Sequence, residues 1–191
     1  MSDQPNSKGV FEANSLMLLK MIKSFNYGMD FAGRPFKIEP KQIFPFAVVN
    51  AYAKNFGSLE KKMHLKIQNG AVGVITQPVF DIENVKKLLE NFENAKENVE
   101  GDKRKAQLIF GVFPITKLRT ALFLSAQVPG IHVPQFWIDE LEKAHNISEE
   151  EEYKVGMQLS KNLFDEINRI HPKIHLMTAN NKFEVASEIL A

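Results

Sequence analysis

A side-chain amide stands directly after an apolar run of the sequence. Gln77 follows Val74-Ile75-Thr76, a run that is typical of a buried strand, and precedes Pro78. A carboxamide presents a hydrogen-bond donor beside an acceptor, which suits the edge of a heterocycle that carries both, such as a pterin or a flavin. The same amide can instead satisfy backbone groups of the following loop. Position alone leaves both interpretations of Gln77 open.

Four other polar residues are candidates, and each also has a structural interpretation. Asp81 immediately precedes the apolar stripe of the next predicted helix, where aspartate is a preferred N-cap, and Thr116 is interpreted in the same way. Lys66 has the long stem and point charge that suit a phosphate, although lysines on helices are commonly solvated. Asp3 lies in a polar, proline-broken segment that predicts a loop or tail.

Several kinds of chemistry are excluded by composition and motifs. The chain has no cysteine, which excludes disulfides, zinc-thiolate and iron–sulfur sites and thiol nucleophiles. The five histidines form no HExxH or i, i+4 pattern, so no metal site is predicted. No GxSxG elbow indicates a serine hydrolase. Lys plus Arg number 24 against 23 Asp plus Glu, and this net charge of +1 favours neither nucleic acid nor an anionic membrane as partner.

The length of 191 residues predicts a single domain over residues 1–191. Hydrophobic residues make up 44% of the chain and charged residues 25%, as in ordinary globular proteins. The first residues carry no apolar run of signal-peptide type, and no stretch approaches the ~20 apolar residues of a membrane helix. Together with the lack of cysteine, this predicts a cytoplasmic protein.

Apolar runs at 43–49, 72–76, 108–113 and 174–178 predict four strands that position these side chains. Their nearly continuous apolar character is expected of parallel strands buried on both faces. Each of these runs is followed by one of the polar candidates or by a loop. In parallel α/β folds, the carboxyl ends of the strands are where site residues gather.

Helical periodicity fills the segments between the strands. Helices are predicted around 58–69, 85–92, 116–126, 135–145 and 149–170, and one more precedes the first strand with Asn14 or Ser15 as its N-cap. Ser148 and Glu151 have the spacing of a capping box. This alternation predicts a parallel sheet with right-handed crossovers.

Two architectures fit such an alternation. A doubly wound sheet usually has a glycine-rich first turn, but neither GxGxxG nor GxxxxGK[ST] occurs here. A closed (β/α)₈ barrel needs eight strands and typically ~250 residues, whereas four strands are predicted. The pattern alone leaves both open.

The segment 66–81 closely resembles a stretch of the methylenetetrahydrofolate reductases. It reproduces their K-x-x-x-G-A motif at 66–71 and their T-Q-x-x-F-D motif at 76–81. Other segments resemble the same family in the same order: the G-D-x-P loop at 2–5, the helix after it at 14–19, the G-[IV]-[LF]-P-[IV]-[ST] strand end at 111–116, a later loop at 129–134 and the final strand at 175–180. The resemblance covers residues 2–190.

This resemblance implies a (β/α)₈ barrel flavoenzyme of one-carbon metabolism and methionine biosynthesis. Such an enzyme holds FAD, takes hydride from NADH or NADPH, and reduces 5,10-methylenetetrahydrofolate to 5-methyltetrahydrofolate. The two substrates use one flavin face in turn. The protein's part is to position the reacting atoms and to tune the flavin electrostatically, while the cofactor carries the hydride.

The resemblance also implies roles for particular residues. Asp3 matches a catalytic aspartate that lies beside the flavin and hydrogen-bonds the pterin, where its charge would disfavour negative charge on the reduced flavin. Gln77 matches a glutamine that contacts folate and nicotinamide. Asn50 stands where many relatives have a histidine on the cofactor. The implied cofactor-binding residues are Asp3, Phe11, Glu12, Asn50, Ala53 and Lys66.

Some positions depart from the family pattern. Thr120 and Leu124 stand where some relatives have a substrate-facing glutamine and phenylalanine, and Asn181 stands where some have an arginine. The family's general-acid glutamate, at the end of the first barrel strand, has no counterpart, because the match begins after the fourth strand. We therefore expect only about the second half of the barrel in this chain.

A half-barrel suggests a second function. It would expose two sheet edges and an apolar inner face, which favour a homo-oligomer or another association that covers them. The alternative to a reductase is thus a non-catalytic half-barrel that needs a partner or the missing N-terminal half.

Overall fold

Helices and strands alternate along the chain, as the sequence predicts. A computed structural model describes residues 14–97, 99, 101, 105–179 and 182–191. The strands are β1 (Phe46–Val49), β2 (Gly73–Pro78), β3 (Gln107–Val112) and β4 (Ile174–Leu176). The helices are α1 (Ser15–Asn26), α2 (Phe56–Gln68), α3 (Ile82–Glu97), α4 (Leu118–Gln127), α5 (Gln135–His145), α6 (Glu149–Ile170) and α7 (Phe183–Leu190).

Three helices begin at the caps that the sequence predicts. The Asn14 side chain accepts two N–H groups of the first turn of α1, each at 3.0 Å. Asp81 Oδ1 accepts the Asn84 N–H at 2.7 Å, and Ser148 Oγ accepts the Glu151 N–H at 3.1 Å. These bonds satisfy N–H groups that have no partner within the helix.

The predicted cap at Thr116 is wrong. Helix α4 begins at Leu118, and its N-cap residue Lys117 makes no side-chain capping bond. Glu152 of α6 accepts the Leu118 N–H at 2.7 Å instead. A carboxylate from a distant helix therefore does what a local hydroxyl was expected to do.

Strand β1 is shorter than the apolar run that predicts it. The Asn26 side chain binds both backbone groups of Ile43, its Oδ1 accepting the N–H at 2.9 Å and its Nδ2 donating to the carbonyl at 2.7 Å. Pro45 has no N–H to give to a ladder. The strand therefore begins only at Phe46.

The four strands form one parallel sheet in the order β1-β2-β3-β4. Right-handed crossovers between strands in consecutive order place the connecting helices on one face of the sheet. A doubly wound sheet has a point where the strand order reverses, and this sheet has none among its four strands. The α/β fold is confirmed, and its order is that of a barrel-type sheet.

The two faces of the sheet differ in burial. Ala47 and Val49 are buried on the helix side, whereas Phe46 and Val48 are 53% and 60% exposed on the other side. The expectation that all strands are buried on both faces is therefore wrong for β1. The main core lies between sheet and helices, where Leu88, Leu108 and Phe110 are fully buried. Among the described residues, no helix is both long and apolar enough to cross a membrane.

Candidate functional site

An irregularity in the sheet lies at the end of β2, in the stretch that contains Gln77. The pairing of β2 with β3 shifts register between Ile75 and Pro78. There the Thr76 hydroxyl accepts the Gly111 N–H at 2.9 Å, and the Gly111 carbonyl accepts the Val79 N–H at 3.0 Å. Bulges of this kind are common beside active sites, where they redirect a side chain.

The Gln77 carboxamide is only partly satisfied. Its Nε2 donates to the Pro129 carbonyl over a long 3.4 Å, and its Oε1 is buried with no hydrogen-bond partner among the described residues. Leaving a buried acceptor unpaired costs about 1–3 kcal/mol. The amide thus meets one backbone group, as the structural interpretation expects, and keeps an acceptor for another group.

A glycine turn brings Gln77 and Asn50 together. Gly130 has φ +84°, and a Cβ built on it would lie 2.6 Å from Gln77 Oε1 and 2.7 Å from Asn50 Nδ2. Only a residue without a side chain allows this approach. Asn50 Oδ1 accepts the Tyr52 N–H at 2.8 Å, so the oxygen of this amide is used locally. Two carboxamides from neighbouring strand ends therefore lie against one turn.

Asn50 also lines a cavity of about 610 Å³ beyond the end of β1. Three lysines line it, and none of its described lining residues is acidic. We call it the lysine cavity; it lies between α1, α2 and the loop after β1. The lining residues that matter for its chemistry include Ser15, Asn50, Ala53, Lys54, Lys62 and Lys66. Its volume is in the range of small-molecule sites.

Lys66 is the most constrained cation of the lysine cavity. Its Nζ donates to Ser15 Oγ at 3.2 Å. Burial first, and then the positive charge of Lys62, lower the pKa of Lys66 below its ordinary value. A partly desolvated ammonium beside a second cation favours the approach of an anion. The cavity can therefore hold an anionic ligand such as a phosphate group.

A second cavity, of about 620 Å³, lies at the ends of β3 and β4. We call it the β3–β4 cavity; its polar lining residues are Thr116, Lys117, Arg119, Thr120, His145, Glu149, Glu152, Thr178 and Lys182. Several of these groups pair with each other or with the backbone. Glu152 Oε1 accepts the Leu118 N–H and lies 3.3 Å from His145 Nδ1, while Lys117 Nζ lies 3.9 Å from Glu149.

The structure gathers the described members of the predicted site. Asn50, Ala53 and Lys66 line the lysine cavity, and Gln77 lies beside it against Gly130. Thr120 lines the β3–β4 cavity, whereas Leu124 is 8% exposed within the main core. Four predicted residues lie outside the described part of the chain, namely Asp3, Phe11, Glu12 and Asn181.

Sequence reasoning misses Tyr52, Lys54, Lys62 and Gly130. The two lysines carry no motif, and a glycine after a proline is typical of any turn. Tyr52 and Lys54, three and five residues after the end of β1, lie among the strand-end residues, and this position is the signal that could have found them. Within the described residues, no group of three or more His, Asp or Glu side chains has the arrangement of a metal site.

Comparisons with known proteins give one family match and a similar solved structure. A family model described as methylenetetrahydrofolate reductase matches residues 3–191. A solved structure, described as an uncharacterized protein from Clostridium thermocellum that binds two copies of 5-methyl-5,6,7,8-tetrahydrofolic acid, is similar with a TM-score of 0.53. It is 21% identical, and the match covers 76% of this chain and 50% of that one, a likeness that shows the fold alone. No curated protein matches this chain.

Proposed function

The chain belongs to the methylenetetrahydrofolate reductase family, and from that premise we propose that it acts in the reduction of 5,10-methylenetetrahydrofolate to 5-methyltetrahydrofolate. FAD is the proposed cofactor and NADH or NADPH the proposed donor. One observation carries the proposal: the half-satisfied amide of Gln77 lies against the same turn as Asn50, and Asn50 lines the lysine cavity.

Gln77 is the proposed folate contact. An unpaired buried acceptor is not specific by itself, since Gln68 Oε1 on α2 is also buried without a partner. Gln77 differs because a second carboxamide and a cavity lie beside it at the carboxyl end of the sheet. A pterin edge carries N–H donors and acceptors that match a primary amide. The Clostridium thermocellum protein, which binds a methyltetrahydrofolate, supports folate as the substrate class.

The lysine cavity fits the anionic part of FAD. Its three lysines and the desolvation of Lys66 favour a pyrophosphate, and Ala53 leaves room beside them. Asn50, which lies nearest Gln77, is the proposed contact that orients the ring system. Bound there, a flavin would supply the hydride chemistry. Asp3, Phe11 and Glu12 stay proposed contacts of this cofactor, with Asp3 as the catalytic carboxylate.

A second candidate function follows from the open face of the sheet. Phe46 and Val48 project from β1 on the face that no helix of the described residues covers, and β1 and β4 are the outer strands of the described sheet. Unpaired edges and exposed apolar faces favour association. The alternative is a half-barrel that is not catalytic by itself. It would need further strands from a partner before it could turn over a substrate.

Binding and turnover separate these two functions. We expect the purified chain to bind 5-methyltetrahydrofolate in isothermal titration calorimetry, and Gln77→Ala to weaken that binding by about tenfold or more. Gln68→Ala is the matched control, because it removes another amide whose buried oxygen has no partner among the described residues, away from both cavities, and it should leave affinity unchanged. Equal effects of the two variants would overturn the role of Gln77.

FAD binding and NAD(P)H oxidation test the reductase itself. A yellow protein that oxidises NADH or NADPH with a quinone acceptor supports the reductase. A colourless protein that binds folate without oxidising either donor supports the half-barrel that needs a partner. A chain that binds neither folate nor FAD contradicts the reductase proposal for this chain alone.

A further inference from the structure

Three loops of the site meet at Tyr52. The residue lies in the loop after β1 and is partly buried, and its Oη accepts the Phe80 N–H at 2.7 Å. Its ring contacts the ring of His132 edge-on, with centroids 5.5 Å apart and planes at 66°. Its own N–H donates to Asn50 Oδ1 at 2.8 Å. One side chain thus links the loop after β1, the segment after β2 and the loop before α5.

Two of these contacts, with Phe80 and His132, lie close in sequence to Gln77 or to the turn against its amide. Phe80 is three residues after Gln77 on the same segment, and the Phe80 N–H has the tyrosine hydroxyl as its partner. His132 is two residues after Gly130, whose turn lies against the Gln77 amide. The hydroxyl therefore fixes the segment that carries Gln77, and the ring fixes the turn that covers it.

The tyrosine hydroxyl stays protonated in this environment. Burial is the main cause that raises the pKa of Tyr52; the Phe80 N–H opposes it, and the negative charge of Asp81 adds to it. The Asp81 carboxylate in turn caps α3 through the Asn84 N–H. Asn84 Nδ2 donates to the Ala51 carbonyl at 2.8 Å, which ties the start of α3 to the loop after β1. The connection is therefore neutral at the tyrosine.

We propose that Tyr52 is a positioning residue for the Gln77 amide in folate binding. The proposal rests on the proposed function, since it takes Gln77 as the folate contact. Tyr52 acts through two residues, Phe80 and His132, and is not among the lining residues of the lysine cavity. Groups that hold a binding side chain in place affect affinity although they make no contact with the ligand.

The test is a double-mutant cycle on the affinity for 5-methyltetrahydrofolate. We expect Tyr52→Phe, which keeps the ring and removes the hydroxyl, to weaken binding by about tenfold. In the Gln77→Ala background the same change should cost less than about twofold, because its effect passes through Gln77. Additive effects of the two substitutions would overturn the proposal.

A matched control separates positioning from general stability. Tyr153 Oη donates to Glu188 Oε2 at 2.8 Å, between α6 and α7, so Tyr153→Phe also removes a hydroxyl hydrogen bond. We expect this variant to keep the folate affinity of the parent protein. If Tyr52→Phe does not fold, His132→Ala tests the ring contact, and it should weaken folate binding whereas Tyr153→Phe should not. Unchanged binding by both Tyr52→Phe and His132→Ala would refute the proposal.

Hydrogen exchange distinguishes failure of this inference from failure of the proposed function. If the parent protein binds no folate, the proposed function is wrong. Amide exchange in the two loops still tests whether Tyr52 positions them. Tyr52→Phe should then increase amide exchange in residues 79–81 and 130–132 while Tyr153→Phe does not. Equal exchange in parent and Tyr52→Phe would show that Tyr52 positions neither segment.

Discussion

The two cavities at the carboxyl end of the sheet are nearly equal in volume and differ in how their polar groups are satisfied. The β3–β4 cavity places a buried carboxylate, Glu152, on the N–H that opens α4 and beside His145. The lysine cavity has three lysines and no acidic residue among its described lining residues. Gln77 and Asn50 at its margin each keep an amide atom for which the described residues provide no hydrogen bond.

Under the proposed function, this difference separates a cavity wall that serves stability from a ligand site. Paired buried groups stabilise the protein that carries them, because each has already replaced its water. Groups left half-satisfied cost stability unless a ligand completes them. Substitutions around the β3–β4 cavity should therefore change stability and leave ligand binding intact, whereas substitutions around the lysine cavity should affect binding.

The largest effect is expected at Gly156, where α6 meets the loop after β3. A Cβ on Gly156 would collide with the Ile115 carbonyl and lie 2.8 Å from Thr116 Cα, and these backbone atoms cannot rotate away. Ser160 fixes the same approach, since its hydroxyl accepts the Ile115 N–H at 3.0 Å. We expect Gly156→Ala to lower the free energy of unfolding in urea by about 3 kcal/mol.

Gly57→Ala is the control for a glycine within a helix. Its nearest atom would be Asn55 Oδ1 at an ordinary 3.5 Å, so alanine should stabilise α2 by roughly 0.5 kcal/mol. Folded Gly156→Ala should bind 5-methyltetrahydrofolate as the parent does. Weaker binding would mean that the β3–β4 cavity belongs to the ligand site after all.

Glu152 should have the next largest effect. Glu152→Ala leaves the Leu118 N–H without its partner and removes the carboxylate beside His145. We expect a loss of about 2 kcal/mol in urea unfolding, as for a lost cap whose donor stays buried. Glu149→Ala, on a side chain that is 87% exposed, should unfold like the parent. Equal stability of both variants would show that the buried carboxylate does not cap α4.

Gly130 tests the close contact at the margin of the lysine cavity. Gly130 and Gly33 have nearly the same φ, +84° and +80°. A Cβ built on Gly130 has neighbours within 4 Å, whereas one built on Gly33 has none among the described residues. Alanine should strain both positions equally, and Gly130→Ala should cost about 1 kcal/mol more because Gln77 and Asn50 must shift. In the Gln77→Ala background this excess should shrink. What remains there is due to Asn50, and an excess that does not shrink at all would show that Gln77 takes no part in the collision.

Features that depend on neighbouring residues could be predicted from the sequence. The Asp81 and Ser148 caps, the bounds of α5 and α6 and the position of Gln77 at a strand end all follow from residues a few positions apart. Motif resemblance further grouped Asn50, Ala53 and Lys66, which the fold places in one cavity.

Features that depend on distant contacts could not. The cap of α4 comes from a residue 34 positions away, and Tyr52 meets Phe80 across 28 positions. Gly130 matters only because α4 and its loop return over the end of β2, a geometry that no local pattern encodes. The burial of β1 on one face follows likewise from which helices pack on the sheet.

The smallest effect, and the one with opposite signs for stability and binding, is expected at Lys66. Burial and Lys62 lower its pKa in the folded state, so the charged form is less favourable there than in the unfolded chain. Lys66→Met should therefore raise the free energy of unfolding at pH 7 by a few tenths of a kcal/mol, after allowance for solvent screening. The advantage should shrink as the pH rises through the folded pKa, because the parent then loses the unfavourable charge.

The same variant should bind FAD about fivefold more weakly, since a cation that faces the phosphates is gone. Lys61→Met, exposed on the same helix, should change neither quantity. Weaker FAD binding with no gain in stability would mean that Lys66 is solvated before the ligand arrives; a gain in stability with unchanged FAD affinity would remove the lysine cavity from the cofactor site.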